Sequence, residues 1–140
     1  MSKFTEEEAT EMLEWIKCCV GSAAGPLNTC GTIQNFYDVL KDGCLLCRLI
    51  NAFEPNTVPR IQVPISKFAM MENVSAFVNA ARRLGVAEEQ LFQSVDLVER
   101  RDLFSVFMCV TALGRLAHNY GFPNIGTRRF SYVIPQMLED

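Results

Sequence analysis

Several things are scarce in this chain, and each scarcity excludes a class of protein. The longest unbroken apolar run is Val106–Val110, against about 20 residues for a membrane-spanning helix, so no membrane partner is expected. The first residues read Met-Ser-Lys-Phe-Thr-Glu-Glu-Glu, where a secretory leader needs an apolar segment. A soluble, cytoplasmic protein is expected. There is no basic excess: 13 Lys and Arg stand against 16 Asp and Glu, for a formal net charge of −3. Phosphate binding requires a net basic face, so nucleic acid is not the expected partner. Alternating strand patterns, internal repeats and low-complexity blocks are absent as well.

Catalytic and metal-binding chemistry is thinly represented. His118 is the single histidine and falls where a last helical turn is expected, a position in which a cation complements the helix dipole. Nothing near it suggests a nucleophile or an orienting acid, so no enzyme is expected. Six cysteines are present. In a reducing compartment they read as small buried hydrophobes rather than disulfides. Cys44-x-x-Cys47 has metal-ligand spacing, but a structural zinc needs four ligands and no second pair accompanies it. No metal and no cofactor are expected.

What is present is helical periodicity. Phe4-Thr-Glu-Glu-Glu8 opens a helix, with Thr5 and Glu8 at capping-box spacing and Phe4 placed to staple against Ala9. Ala9, Met12, Leu13, Ile16, Cys19 and Val20 form its apolar stripe, Trp15 lies at the edge, and Gly21 can end it. Thr32 can cap a short helix bearing Ile33, Phe36, Tyr37 and Leu40. Asp42 is placed to cap the densest element, where Leu45, Leu46, Leu49, Ile50 and Phe53 share a broad face and Glu54-Pro55 stops the run. Residues 56–66 read as an irregular surface wrap with Pro59 and Pro64. A long helix is expected over Lys67–Leu84, with Gly85-Val86 as its C-terminal signal. A helical turn around Glu88–Phe92 and a short piece capped at Asp96 follow. Asp102 then caps a helix expected over Leu103–His118, apolar on most sides and therefore central. The expected organisation is one domain over 1–121 and a C-terminal tail over 122–140, laid over the domain by Phe130, Tyr132 and Val133.

Read in order, four pieces resemble a known family. They are the Trp15-bearing capped helix, Lys41-Asp-Gly-x-x-Leu-x-x-Leu-Ile-Asn51, Met71-Glu-Asn-x-x-x-Phe-x-x-Ala-x-x-x-Gly85-Val86, and Phe92-x-x-Val-Asp-Leu97. With Asp102-Leu103 through Leu116 they resemble the calponin homology domain, in the single-domain form of calponin and transgelin, over about residues 5–120. The resemblance implies an all-α fold with four main helices and shorter connecting ones. It implies a cytoskeletal monomer that binds F-actin, or alternatively a signalling or scaffolding adaptor that needs no actin. Calponin and transgelin also carry a repeat built on Ile-Gly-Leu-x-Met-Gly; here only Asn124-Ile-Gly-Thr127 follows that pattern, so weaker actin binding is expected.

Surface candidates for the partner face are basic. In the family the first helix and the last long helix face actin, which singles out Trp15, Lys17, Arg100, Arg101 and Arg115. Lys41, Lys67, Arg82 and Arg83 could extend the patch, since arginine pairs suit carboxylate recognition through bidentate hydrogen bonds. Arg128-Arg-Phe-Ser131 has the form of a basophilic kinase site, making Ser131 a candidate phosphosite.

Overall fold

The first helix begins where the sequence says it should. In the computed structural model, which describes residues 4–126, Thr5 Oγ1 accepts the Glu8 N–H at 3.0 Å and Glu8 Oε1 accepts the Thr5 N–H at 2.8 Å. That reciprocal pair opens α1, Glu6–Val20, and Gly21 ends it at φ 69°. Phe4 reaches further than a local staple: its ring stacks on Phe107, centroids 4.5 Å apart, and tilts against Phe36. It thereby ties the entry of α1 to the second and last helices. Trp15 is wholly buried, so the expectation that it closes the edge of the stripe is corrected. The indole is core.

Five more α-helices follow among the described residues: α2 Ile33–Leu40, α3 Cys44–Phe53, α4 Lys67–Leu84, α5 Ser94–Val98 and α6 Leu103–Gly114. Single 3₁₀ turns at Gly21–Ala24, Glu88–Gln90 and Ala117–Tyr120 join or finish them. The fold is all-α, with α1, α3, α4 and α6 as its longest elements. Helix α3 buries seven residues, Cys44, Leu45, Leu46, Cys47, Leu49, Ile50 and Phe53. It packs chiefly against α4 on one side and α1 on the other. Helix α4 has the expected bounds and ends with Gly85 followed by buried Val86, whose N–H reaches back to the Ala81 carbonyl at 3.0 Å.

Three local expectations are corrected. Asp42 is not the N-cap of α3: Gly43 holds that place at φ 76°, while Asp42 Oδ1 accepts the Cys44 N–H one step in. A Cβ on Gly43 would press on Asn73 Cβ and the Val74 nitrogen, so the close approach of α3 to α4 selects the glycine as well as its left-handed backbone. Asp96 is not an N-cap; it lies inside α5 as the third residue of a capping box, its carboxylate accepting the N–H of Gln93, the N-cap residue. Helix α6 stops at Gly114 rather than His118. There the backbone tightens, and the Gly114 carbonyl accepts the Ile125 N–H at 3.0 Å.

The packed chain runs on past Gly121. Ile125 is buried against Gly114, where any Cβ would collide with its side chain. The Trp15 Nε1–H donates to the Pro123 carbonyl at 2.7 Å. Asn124-Ile125-Gly126, the fragment that echoed a repeat, therefore serves the domain. Phe130, Ser131, Tyr132, Val133 and the Arg128-Arg129 pair lie outside the described residues.

Among the described residues, one polar side chain is buried in all this carbon. Asn73 of α4 donates through Nδ2 to the carbonyls of Asp42 (3.0 Å) and Gln62 (2.9 Å) and accepts the Gln62 N–H on Oδ1 at 2.7 Å. Asn51 performs a similar exchange with both backbone groups of Val58. The irregular wrap from 54 to 66 is thus pinned by two asparagines, which satisfy backbone groups that no helix or sheet would.

Candidate functional site

Four of the basic candidates converge on the loop between α5 and α6. Arg100 has φ 57°, a left-handed conformation that is uncommon for a non-glycine residue. Its guanidinium donates to Gln34 Oε1 at 2.7 Å and lies over the Tyr37 ring, 5.0 Å from the centroid. Lys41 Nζ also lies over that ring at 5.4 Å and sits 3.7 Å from Asp38. The Tyr37 hydroxyl donates to the Val98 carbonyl at 2.8 Å, which fixes the ring against α5. One residue before Arg100, Glu99 pairs with Lys67 at 2.7 Å. The hydrogen bond from Lys67, then the charges of Lys67 and Arg101, hold the Glu99 carboxyl below its ordinary range. Lys41 and Arg100 therefore gather on the Tyr37 ring and Lys67 and Arg101 on Glu99, two adjoining basic pairs at the α5–α6 loop, only partly neutralised by Asp38 and Glu99.

The other candidates are scattered. Arg82 is occupied by an exposed bidentate pair with Glu88 (3.0 and 3.2 Å) and by Asn79 at 2.9 Å. Arg83 faces a separate polar hollow lined by Glu54, Thr57 and Tyr120. Lys17 lies in the last turn of α1 and Arg115 at the C-cap of α6, both exposed. Trp15 is fully buried and cannot touch a partner, which corrects its place among the contact candidates.

This six-helix arrangement, with the Trp15 helix, the α3–α4 pair and the closing α6, matches the family model "Calponin homology (CH) domain" over residues 6–119. The chain belongs to the calponin homology domain family. Among similar proteins, Muscle-specific protein 20 of Drosophila melanogaster is 37% identical over 121 residues, 85% of this chain and 61% of that protein. Calponin-2 of Bos taurus is 32% identical over 86% of this chain and 36% of that protein. The chain thus spans about three fifths of the first relative and about a third of the second. The calponin-homology domain of Rng2 from Schizosaccharomyces pombe superposes with a TM-score of 0.70 at 24% identity, covering 94% of this chain and 86% of that one. That likeness establishes the fold.

Within this calponin homology domain, the remaining titratable groups read as structure. Cys47 donates to the Asn73 carbonyl at 3.2 Å and Cys44 approaches the Gln62 carbonyl at 3.7 Å. Burial pushes the Cys47 and Cys109 thiols up to about 12 and raises those of Cys19, Cys18 and Cys44. No three His, Cys, Asp or Glu side chains group as a metal site among the described residues. His118 lies in the 3₁₀ turn after α6, its Nδ1 3.0 Å from Asn124 Oδ1. No helix among the described residues is long and apolar enough to cross a membrane.

The reading of every cysteine as buried is corrected at two positions: Cys30 is exposed and Cys18 half-buried. Thiolates, not thiols, react. Treating native protein with an aromatic disulfide reagent near pH 8 should therefore modify Cys30 quickly and Cys18 slowly. Cys19, Cys44, Cys47 and Cys109 should react only on unfolding. Fast release of a third thiol would contradict the packing of α1, α3 or α6, whichever carries it.

Sequence reasoning missed the residues that organise the cluster. By spacing Tyr37 belongs to the apolar stripe of α2, and Gln34 carries no signal of its own. A signal existed in Lys41, one turn after Tyr37, but the partner 61 residues away in sequence did not show.

Proposed function

We propose that this calponin homology domain binds F-actin through a basic surface centred on Lys41, Arg100 and Arg101, with the exposed faces of α1 and α6 at its margins, and works on the cytoskeleton in the cytoplasm. The observation that carries the reading is the convergence of four cations around the α5–α6 loop on a chain of net charge −3. Calponin-like relatives support it. Arg100 in particular is held in a conformation that costs on the order of 1 kcal/mol for an ordinary side chain, and its guanidinium is steadied by Gln34 and Tyr37.

Co-sedimentation with F-actin at low salt, where charge contacts are least screened, tests this. The wild-type chain should pellet, and pelleting should fall as salt rises. Arg100→Glu with Arg101→Glu should weaken it about tenfold or more, as expected when rim charges are reversed. The melting temperature should drop only about 3–5 °C, reflecting the lost cation–π and hydrogen-bond contacts of Arg100. Absence of pelleting at low salt would sink the proposal.

A second reading, a scaffold for other proteins, is favoured by one observation. Val63, Ile65 and Phe68 are 69%, 86% and 72% exposed.

A further inference from the structure

Apolar exposure on the described surface is concentrated in one place. Apart from those three residues, the exposed large apolar side chains are Ile33 and Met108, at only 36% and 37%. Val63, Ile65 and Phe68 lie in the segment entering α4 and in its first turn. Gln62, Lys67 and Phe68 line a groove of about 860 Å³ that runs along α4 as far as Asn79 and is bounded across from it by Ser94 and Glu99. The half-buried Met71 and Ala76 add apolar lining.

This exposure is built rather than slack. Asn73 grips the Gln62 backbone at both its N–H and its carbonyl. Ser66 Oγ caps α4 by accepting the Ala69 N–H at 3.1 Å. Between those anchors the Ile65 N–H closes on the Val63 carbonyl at 2.8 Å. The segment is tied at both ends while its apolar side chains stay in solvent, at a cost in hydration that a partner would relieve.

Size and charge select the occupant. A stable pair of copies needs about 800 Å² from each partner. Phe68 in the groove, with Val63 and Ile65 beside it, provides at most on the order of 300–500 Å². A single short segment laid in the groove suits that area better, as an amphipathic helix does through apolar residues spaced at i, i+3 or i+4, and i+7. Around the groove, Lys67 and Glu99 neutralise each other. Arg60 and, beside Glu99, Arg101 then stand against Glu72 alone. The rim is cationic, and it favours acidic flanks.

We propose that this groove binds a short amphipathic helix of a partner protein, its apolar face packed on Phe68, Met71 and Ala76 and its carboxylates facing Arg60. The inference rests on the scaffolding reading; Lys67 and Arg101 border both surfaces, so Phe68, which carries no charge, is the residue that separates this groove from actin binding. Anisotropy of a fluorescein-labelled helical peptide of about 14 residues, with leucines at i, i+3, i+4 and i+7 and glutamates beside them, tests it on the full chain. A lysine-flanked copy and a scrambled copy serve as comparisons. Saturable binding of the acidic peptide is expected, with NMR shifts confined to Phe68, Met71, Ser75 and their neighbours. Phe68→Ala should weaken it at least about fivefold, as loss of a central apolar anchor does, without lowering the melting temperature or actin pelleting. Arg60→Glu should move the preference to the lysine-flanked peptide. No saturable binding, equal binding of the three peptides, or shifts elsewhere on the domain would overturn the proposal. Phe68-dependent dimerisation in sedimentation would overturn it in favour of a second copy. Tighter peptide binding by the full-chain variant Phe130→Ser, Tyr132→Ser would overturn it in favour of the chain's own tail.

Discussion

Asn73→Asp should cost about 4 kcal/mol at pH 7.5 and only about 1–2 kcal/mol at pH 4.5, each measured against wild type at the same pH by denaturant unfolding. The substitution changes almost no volume, so packing is not the cause. It removes the Nδ2 donor that serves the carbonyls of Asp42 and Gln62 and sets a carboxylate against them in a site that is 1% exposed. A carboxylate so placed is stabilised only when protonated, which raises its pKa in the folded state well above the unfolded value of about 3.9. The sign follows. Below the unfolded value both states hold the proton and the penalty is small, a lost hydrogen bond. As pH rises, the unfolded chain releases its proton while the folded one keeps it. Folding then requires proton uptake, and the deficit grows by about 1.4 kcal/mol per pH unit until the folded pKa is passed. Asn73→Ala should lose about 3 kcal/mol with no such pH dependence, since it leaves backbone groups unpaired but adds no charge. A pH-independent loss below about 1 kcal/mol for Asn73→Asp would show that this side chain does not hold the wrap to α3 and α4.

Asn73 also marks where a sequence stops being legible. Hydrophobic period located α4 to the residue, because Val74, Phe77, Val78, Ala81 and Leu84 repeat on one face and Gly85-Val86 ends it. The same period assigns a polar residue to solvent. Asn73 is buried because its partners lie 11 and 31 residues away, and nothing local announces them. The end of α6 failed for a related reason. Leu116 and Ala117 continue the apolar pattern, but the Gly114 carbonyl is taken by Ile125, and that choice is made by tertiary packing. Capping was legible at Thr5, Thr32 and Asp102, where donor and acceptor sit three residues apart. It was misread at Asp42 and Asp96, where neighbouring backbone shifted the cap by one or more positions.

The candidate surface was half legible for the same physical reason. Sequence supplies the arginine pairs but not their division. Arg100 turns to Gln34 and Tyr37, while its neighbour Arg101 adds to the field at Glu99. Arg82 is spent on Glu88, while Arg83 opens on a different hollow. Adjacent residues on a helix or tight turn diverge in direction by construction, so a charged pair in sequence is seldom a charged pair in space. The groove beside Phe68 was not anticipated at all, because exposed apolar residues in an irregular segment carry no period.

Trp15→Ala should lose about 3–5 kcal/mol, the usual range for truncating a buried aromatic. Trp15→Phe should lose about 1–2 kcal/mol through the hydrogen bond to the Pro123 carbonyl. The indole is the largest fully buried side chain of the domain. It meets Phe53 edge-on at 6.0 Å, lies under Gly114 and holds the segment that carries Ile125. The alanine variant leaves a cavity that α1, α3 and the 122–126 segment cannot all close, and hydrogen exchange should show the Ile125 N–H losing protection before the helices do. The phenylalanine variant separates two roles for this position. As core, it should lower thermal stability yet pellet with F-actin like wild type at temperatures where it is folded. A folded Trp15→Phe chain that no longer pellets would mean that the docked 122–126 segment shapes the actin-facing surface, because the buried indole has no other route to a partner.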